Sequence, residues 1–304
     1  MTPQLPKLIA IVGPTASGKT GLGIEIAKKV DGEVVSVDSR QVYRGMDIGT
    51  AKVGEVGKDR EGKTIDGIPH WGIDLVNPDE DYSVADFKKY AEQKIEEIIK
   101  RKHVPILVGG TGLWVSAIIN NFDLAKTPAD LKLRAELSAR PIEDLFLEYK
   151  QLDPEGAEVI DKENKRRVVR ALEVTKLTGR PFSQQQTKGE PKYDVHQIGI
   201  IVERSILNER INKRVDEMIA DGLVDEVRSL SDKYGCEIDS MTGIGYRQIC
   251  EFLEGKSTLA EAIEKVKKAT RQYAKRQMTW FKRDSRIHWM SDQEAAFNFV
   301  IGFL

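Results

Sequence analysis

The chain has 304 residues, 31% of them charged, with 47 Lys and Arg against 48 Asp and Glu and a formal net charge of −1. That length allows one large or two modest domains with ample core, and near-neutrality excludes a globally basic nucleic-acid binder, so any contact with a polyanion has to be local. Two cysteines, Cys236 and Cys250, are too few for a disulfide framework, four scattered histidines give no zinc spacing, and no long apolar run or signal peptide is present, which reads as a soluble protein of a reducing, cytoplasmic compartment.

A short apolar run, Leu8 to Val12, reads as a first strand and stops at Gly13. Gly13-Pro14-Thr15-Ala16-Ser17-Gly18-Lys19-Thr20 then fits the phosphate-loop spacing, and an amphipathic run from Thr20 to Val30 follows at once. Strand, Gly-rich turn and helix stand in the order that the motif needs. The glycines let successive N–H groups curl toward one spot, and the helix start adds partial positive charge there. Lys19 supplies a full charge, and the Thr20 hydroxyl is the candidate Mg²⁺ ligand. Such a loop binds a diphosphate without saying whose.

Glu33 to Val37 is a second strand, ending in Asp38-Ser39-Arg40-Gln41. In open α/β sheets chemistry collects beyond the carboxyl ends of strands, so Asp38 is expected to face the crevice of Lys19. Tyr43 to Lys63 reads as loop. Ser83 to Asp86 is a capping box that opens a helix to about Arg101, with Phe87, Tyr90 or Ala91, Ile95, Ile98 and Ile99 as its core stripe. A third strand, Val104 to Val108, runs into Gly109-Gly110-Thr111-Gly112. Many phosphate-loop hydrolases end a strand in an acidic residue that positions Mg²⁺ or water. Gly-Gly-Thr in that place favours group transfer, with the glycines expected to admit a ligand and Thr111 to offer a hydroxyl. His103 and His288 are expected at strand ends.

From about 121 to 193 the β-type runs vanish, which reads as an all-helical insertion in the α/β core of 1–120 and 194–304. Helices are expected to start at Thr127-Pro128, at Pro141 and after Asn164, the last ending at Gly179 and Pro181. The third opens Lys165-Arg166-Arg167-Val168-Val169-Arg170. Cations at a helix start oppose the dipole, so they point to an anionic partner or to a solvated face.

Gln197 to Val202 is a fourth strand. The helix from Ser205 to Asp221 sets Arg210 and Arg214 on one face, either to clamp a phosphate or to pair with Glu209 and Glu217. Thr242-Gly243-Ile244-Gly245-Tyr246-Arg247 is a Gly-rich turn able to approach a backbone phosphate. In the long helix from Thr258 to Arg283, the stretch 265–283 carries eight Lys or Arg and no acid. Lys268, Arg271, Lys275 and Lys282 share one side, while Val266, Tyr273 and Trp280 recur on the opposite side as core. An unmixed basic face of this kind implies nucleic acid, since its opposite side is a packing seam and not a membrane-insertion face.

These blocks carry a family resemblance over nearly the whole chain. The loop at 13–20, the run Asp38-Ser39-Arg40-Gln41-Val42-Tyr43-Arg44-Gly45-Met46-Asp47-Ile48-Gly49-Thr50-Ala51-Lys52, and the segments 109–113, 166–174, 245–247 and 271–281 resemble those of bacterial tRNA dimethylallyltransferases (the tRNA isopentenyltransferase family). The stretch Asp161 to Asn164 departs from the family's usual His-Pro-Asn-Asp. The resemblance implies a P-loop NTPase-like parallel sheet flanked by helices, Mg²⁺, and transfer of a dimethylallyl group from dimethylallyl diphosphate to N6 of the adenosine just 3′ of a tRNA anticodon. It implies Asp38 as general base, Thr111 as a site residue, and Lys19, Thr20, Arg214 and the loop N–H groups on the diphosphate. The anticodon stem-loop would be gripped by residues 38–41, Thr111, Arg134, the 166–170 cluster, the 242–247 turn, and Lys275, Arg276, Gln277, Trp280 and Lys282. The chain would act as a monomer and off the membrane. Two other enzymes share parts of the pattern: a small-molecule phosphate-loop kinase, which leaves the basic helix unexplained, and an isopentenyltransferase for free adenine nucleotides, which does not need it. An RNA-binding module with a vestigial pocket would not need Lys19, Thr20 and Asp38 together.

Overall fold

The computed structural model describes residues 4–52, 55–56, 63–124, 127, 130–185 and 187–303. It divides into two compact units, Met1–Ile119 with Lys192–Leu304, and Asn120–Pro191. The first unit opens with β1 (Lys7–Val12), the phosphate loop, α1 (Lys19–Val30) and β2 (Gly32–Val37). β1 is apolar on both faces because both are covered. Leu8, Ala10 and Val12 join one core layer, and Ile9 and Ile11 the other. β3 (Glu55–Val56), β4 (Lys63–Ile65) and β5 (Ile68–Trp71) then form an antiparallel edge. Asp66 and Gly67, with φ of 51° and 81°, close the β4–β5 turn, the backbone that a two-residue hairpin demands. The expectation of loop from Tyr43 to Lys63 is therefore corrected at its C-terminal part; residues 53–54 and 57–62 lie outside the described residues. α2 (Val84–Lys100) has the expected Ser83–Asp86 capping box and buries Phe87, Ala91, Ile95 and Ile98. β6 (Val104–Gly109) and α3 (Gly112–Ile119) follow.

The second unit holds β7 (Phe122–Asp123), α4 (Leu131–Ser138), α5 (Ile142–Leu152), α6 (Pro154–Val159), α7 (Lys165–Thr178) and β8 (Thr187–Lys188). It is not all-helical, because β7 and β8 pair antiparallel. α4 begins at Leu131 on an Asp130 cap, not at Thr127-Pro128; Pro128 lies outside the described residues. Asn164 caps α7 through the Arg167 N–H, and left-handed Gly179 ends it. Its core is Leu145, Tyr149, Val168, Val169, Leu172 and neighbours.

The first unit resumes with β9 (Asp194–Ile200), α8 (Arg204–Ala220), α9 (Leu223–Tyr234), α10 (Tyr246–Leu253), α11 (Leu259–Phe281), β10 (His288–Met290) and α12 (Gln293–Ile301). Cys236 and Cys250 are joined by a disulfide, a departure from the expectation of reduced thiols; a sequence separation of 14 gave no sign that the fold would bring their Cα atoms to 6.1 Å.

The sheet order is β10-β9-β1-β6-β2-β5-β4-β3, parallel from β10 to β5. The chain leaves β1 toward β2 on one side and later crosses to β9 on the other, the reversal at which open sheets hold ligands. Register then fixes the site. Gly109 is level with Val12 and with Val37, so the segments that follow all three open on one rim.

Candidate active site on the sheet rim

Three of the segments that leave this rim are the phosphate loop, the Asp38 turn and the Gly110–Thr111 turn. In the loop, Gly13 has φ 148°, and a Cβ there would lie 2.9 Å from the Ile200 carbonyl oxygen. Ala16 adopts φ 62° without being glycine, the kind of sparsely populated backbone that clusters at ligand clamps. Gly18 caps α1 at φ 92°. Lys19 Nζ donates to the Pro14 carbonyl at 2.5 Å. Burial lowers the Lys19 ammonium from 10.5 to about 8, while Asp38 raises it and Arg214 lowers it further. Asp38 and Arg214 are thus both within electrostatic reach of the loop lysine. Arg214, half-buried on α8, is itself held below the usual guanidinium value by burial, against the pull of Glu217. Ser17 is 2% exposed, and its hydroxyl has no hydrogen-bond partner among the described residues, whereas Thr20 is exposed at the helix start.

The Asp38 turn is built from its own side chains. The Arg40 N–H donates to Asp38 Oδ1 at 2.9 Å, and the Ser39 N–H donates to Thr111 Oγ1 at 3.1 Å, which ties this turn to the end of β6. Gln41 accepts from the Ser36 hydroxyl at 2.9 Å and donates to the Thr50 carbonyl at 3.1 Å. Both ends of its amide are used inside the protein. The Arg40 guanidinium donates to the Asp239 and Ser240 carbonyls at 3.1 and 3.2 Å, so this turn and the 242–247 turn lie side by side.

α11 closes the crevice in a way that periodicity did not reveal. Gln277, expected at an RNA surface, is 5% exposed. Its Oε1 accepts from the Thr15 N–H at 2.8 Å, and its Nε2 donates to the Gly110 carbonyl at 3.0 Å. Thr15 therefore corrects the expectation that the loop N–H groups all face the diphosphate. A Cβ on Gly110 would meet Gln277 Nε2 at 2.2 Å, and one on Gly112 would meet Trp280 Cδ1 at 2.2 Å. These glycines make room for α11, not for a ligand. Trp280 is seated on α3, its Nε1 donating to Ser116 Oγ at 3.4 Å. Tyr273, assigned to the core seam, is instead half-buried, joins none of the apolar clusters among the described residues, and lies within electrostatic reach of Asp38. Burial raises its phenol to about 12, reinforced by the Asp38 carboxylate. A polar Gln277 one turn from Tyr273 within an apolar seam was the available signal. On the outer side, Lys275, Arg276 and Lys282 are exposed, while Lys265 and Lys267 pair with Glu251 and Asp216 at 3.0 and 2.7 Å.

In the 242–247 turn, Thr242 and Arg247 are exposed and Ile244 is half-buried, but Gly243 and Gly245 are buried. Tyr246 is 1% exposed, which removes it from any RNA surface. Its hydroxyl donates to Glu226 Oε1 at 2.7 Å. Glu226, on a helix the sequence reading missed, also accepts the N–H groups of Asp47, Ile48 and Gly49 at 2.9, 2.7 and 3.1 Å. Lys52 anchors the same block through Asp47 and Asp74 at 2.9 and 2.5 Å. In the second unit, Val168 and Val169 are 0% and 4% exposed and pack its core, so they present no surface. Arg134 and Arg170 both bind the fully buried Glu173, at 3.0 and 2.7 Å, while Arg166 and Arg167 are exposed. Among the described residues no cluster of His, Cys, Asp or Glu could hold a metal unaided, and no helix is long and apolar enough to cross a membrane.

The family model described as IPP transferase matches residues 41–284, and one described as isopentenyl transferase matches 6–57. A tRNA dimethylallyltransferase of Halalkalibacterium halodurans is 43% identical over 98% of each chain, and one of Carboxydothermus hydrogenoformans 45% identical over 93% of this chain and 91% of its own. The full-length tRNA isopentenylpyrophosphate transferase of Bacillus halodurans superposes with a TM-score of 0.72 at 42% identity, covering 97% of this chain and 96% of that one. A eukaryotic dimethylallyltransferase, described as acting on tRNA, superposes with a TM-score of 0.75 at 29% identity, covering 94% and 73%. A parallel sheet with a phosphate loop on its rim, read together with these matches along nearly the whole length, means that the chain belongs to the IPP transferase family.

Proposed function

We propose that this crevice transfers a dimethylallyl group from dimethylallyl diphosphate to N6 of the adenosine 3′-adjacent to a tRNA anticodon, and releases diphosphate. The observation that carries the reading is the setting of Asp38, joined to Thr111 through the 38–39 turn and felt electrostatically by Lys19. An adenine amine is a weak nucleophile because its lone pair is delocalised into the ring. As the C–N bond forms and the allylic C–O bond breaks, the N6 proton goes to the Asp38 carboxylate. Charge then gathers on the departing diphosphate. Lys19, Arg214, the N–H groups of residues 16–20 and the Ser17 hydroxyl are the groups that meet it. Thr111 orients the amine side. A stacked base cannot enter such a site, so the adenosine is flipped out of the anticodon loop.

The donor chemistry at Thr20 fits magnesium, a hard ion usually held by one or two protein oxygens plus water and substrate phosphates. The Thr20 hydroxyl would hold it there, where it would neutralise diphosphate charge. The exposed cations of α11, Arg247, and Arg166 and Arg167 of the second unit are assigned to tRNA phosphates and 2′-hydroxyls. The enzyme acts as a monomer in the cytoplasm.

The test is incubation with dimethylallyl diphosphate, Mg²⁺ and unmodified tRNA, followed by nucleoside mass analysis. A prenylated adenosine confined to the anticodon loop is expected. Prenylation of free AMP with none on tRNA, or ATP-dependent phosphorylation of a small alcohol, would replace this reading with another.

A further inference from the structure

The buried side of α11 holds one polar side chain, Gln277, in a seam that is otherwise apolar. Gln277 spends both ends of its amide on backbone far away in sequence: the Thr15 N–H in the phosphate loop, and the Gly110 carbonyl at the end of β6. Next to Gly110, Thr111 Oγ1 receives the Ser39 N–H beside Asp38. A side chain at 110 would collide with the Gln277 amide, so the glycine there is explained by this contact. A buried amide satisfied at both ends holds its neighbours at fixed separation, because releasing either leaves an unpaired polar group in the interior.

We propose that Gln277 is a positioning residue of the transfer reaction: it sets the phosphate loop against the end of β6, where Thr111 receives the Ser39 N–H beside Asp38. It thereby fixes the distance between the leaving group and the base. This rests on the transferase reading for the role of Asp38, but the hold of Gln277 on the loop concerns diphosphate binding alone.

The experiment compares wild type and Gln277→Glu, each checked by thermal melting. Calorimetry reads inorganic pyrophosphate binding with Mg²⁺, and steady-state assays read kcat and KM with dimethylallyl diphosphate and tRNA. Gln277→Glu keeps the acceptor for Thr15 but turns a carboxylate onto the Gly110 carbonyl. It is expected to weaken pyrophosphate binding by about tenfold or more, the scale of one lost buried hydrogen bond. The folded variant is also expected to lower kcat by about tenfold, the signature of an interaction felt in the transition state. Wild-type pyrophosphate affinity or wild-type kcat in folded Gln277→Glu would overturn the proposal. If Gln277→Glu does not fold, Gln277→Met takes its place with the same two outcomes. If wild type binds pyrophosphate and prenylates nothing, the functional reading fails, and the calorimetry still decides the role of Gln277.

Discussion

Replacing Glu226 by Ala strips the acceptor from four donors at once. They are the N–H groups of Asp47, Ile48 and Gly49 and the hydroxyl of Tyr246. A buried donor left without a partner costs roughly 1–3 kcal/mol. Tyr246 is 1% exposed and meets nearly the full cost, while residues 47–49 are half-buried and regain part of theirs from water that enters the vacated space. The sum is about 3–6 kcal/mol, which would consume much of the ~5–15 kcal/mol by which a domain is usually stable. Glu226→Gln keeps one acceptor oxygen but turns an NH₂ group toward backbone amides, and about half that loss is expected. Urea unfolding gives the total, and hydrogen exchange at residues 47–49 shows whether the loss begins there. A Glu226→Ala protein within about 1 kcal/mol of wild type would refute the reasoning, since it would mean these four hydrogen bonds contribute almost nothing net. Activity should follow, because the block that Glu226 holds includes Thr50, whose carbonyl receives Gln41 next to the Asp38 turn.

The Lys19 ammonium titrates near 8 in the free enzyme, so protonated loop is lost as pH rises through that value. For dimethylallyl diphosphate, kcat/KM is expected to fall about tenfold per pH unit above 8, whereas kcat holds to higher pH because bound diphosphate favours the charged form; a flat kcat/KM up to pH 9.5 would contradict this. Asp38→Asn should lower turnover by about two to four decades with tRNA affinity kept, as filter binding beside single-turnover assays will show. Changing Lys275 and Arg276 together to Ala should weaken tRNA binding and flatten the log–log salt slope by roughly 1.5–2, as two lost phosphate contacts imply; an unchanged slope removes α11 from the footprint.

What was legible in the sequence is what short-range chemistry dictates. The first strand, loop and helix, the capping box at Ser83, the α7 caps and the basic run of α11 all follow from residues near one another in the chain. The β4–β5 hairpin was missed although Asp66-Gly67 is a local signal, because the neighbouring strands are too short to show alternation. Tyr273 was misplaced for a different reason. A seven-residue recurrence of Val266, Tyr273 and Trp280 marks the inward side of a helix, but not whether that side meets apolar packing or a crevice. Val168, Val169 and Tyr246 fell inside motifs that resemble a binding sequence, yet burial decides otherwise for each. In these blocks, residues that hold the scaffold alternate with residues that can touch a ligand, and a motif does not separate the two.

The end of β6 connects the missing acid with the basic helix. A carboxylate at that point would position Mg²⁺ or water for hydrolysis; Gly110 and Gly112 stand there instead, and the space an acidic side chain would fill holds Gln277 and Trp280. α11 can lie that close only because no side chain projects from these two positions. Its inward turn then reaches both the phosphate loop and the end of β6, while its outward turns carry Lys275, Arg276 and Lys282. The same two glycines therefore remove the hardware for activating water and seat the helix on whose far side the acceptor is proposed to bind. A phosphate-loop fold changed in this way is suited to delivering a nucleophile other than water to a diphosphate-bearing carbon, and the change needs only the loss of two side chains and the approach of one helix.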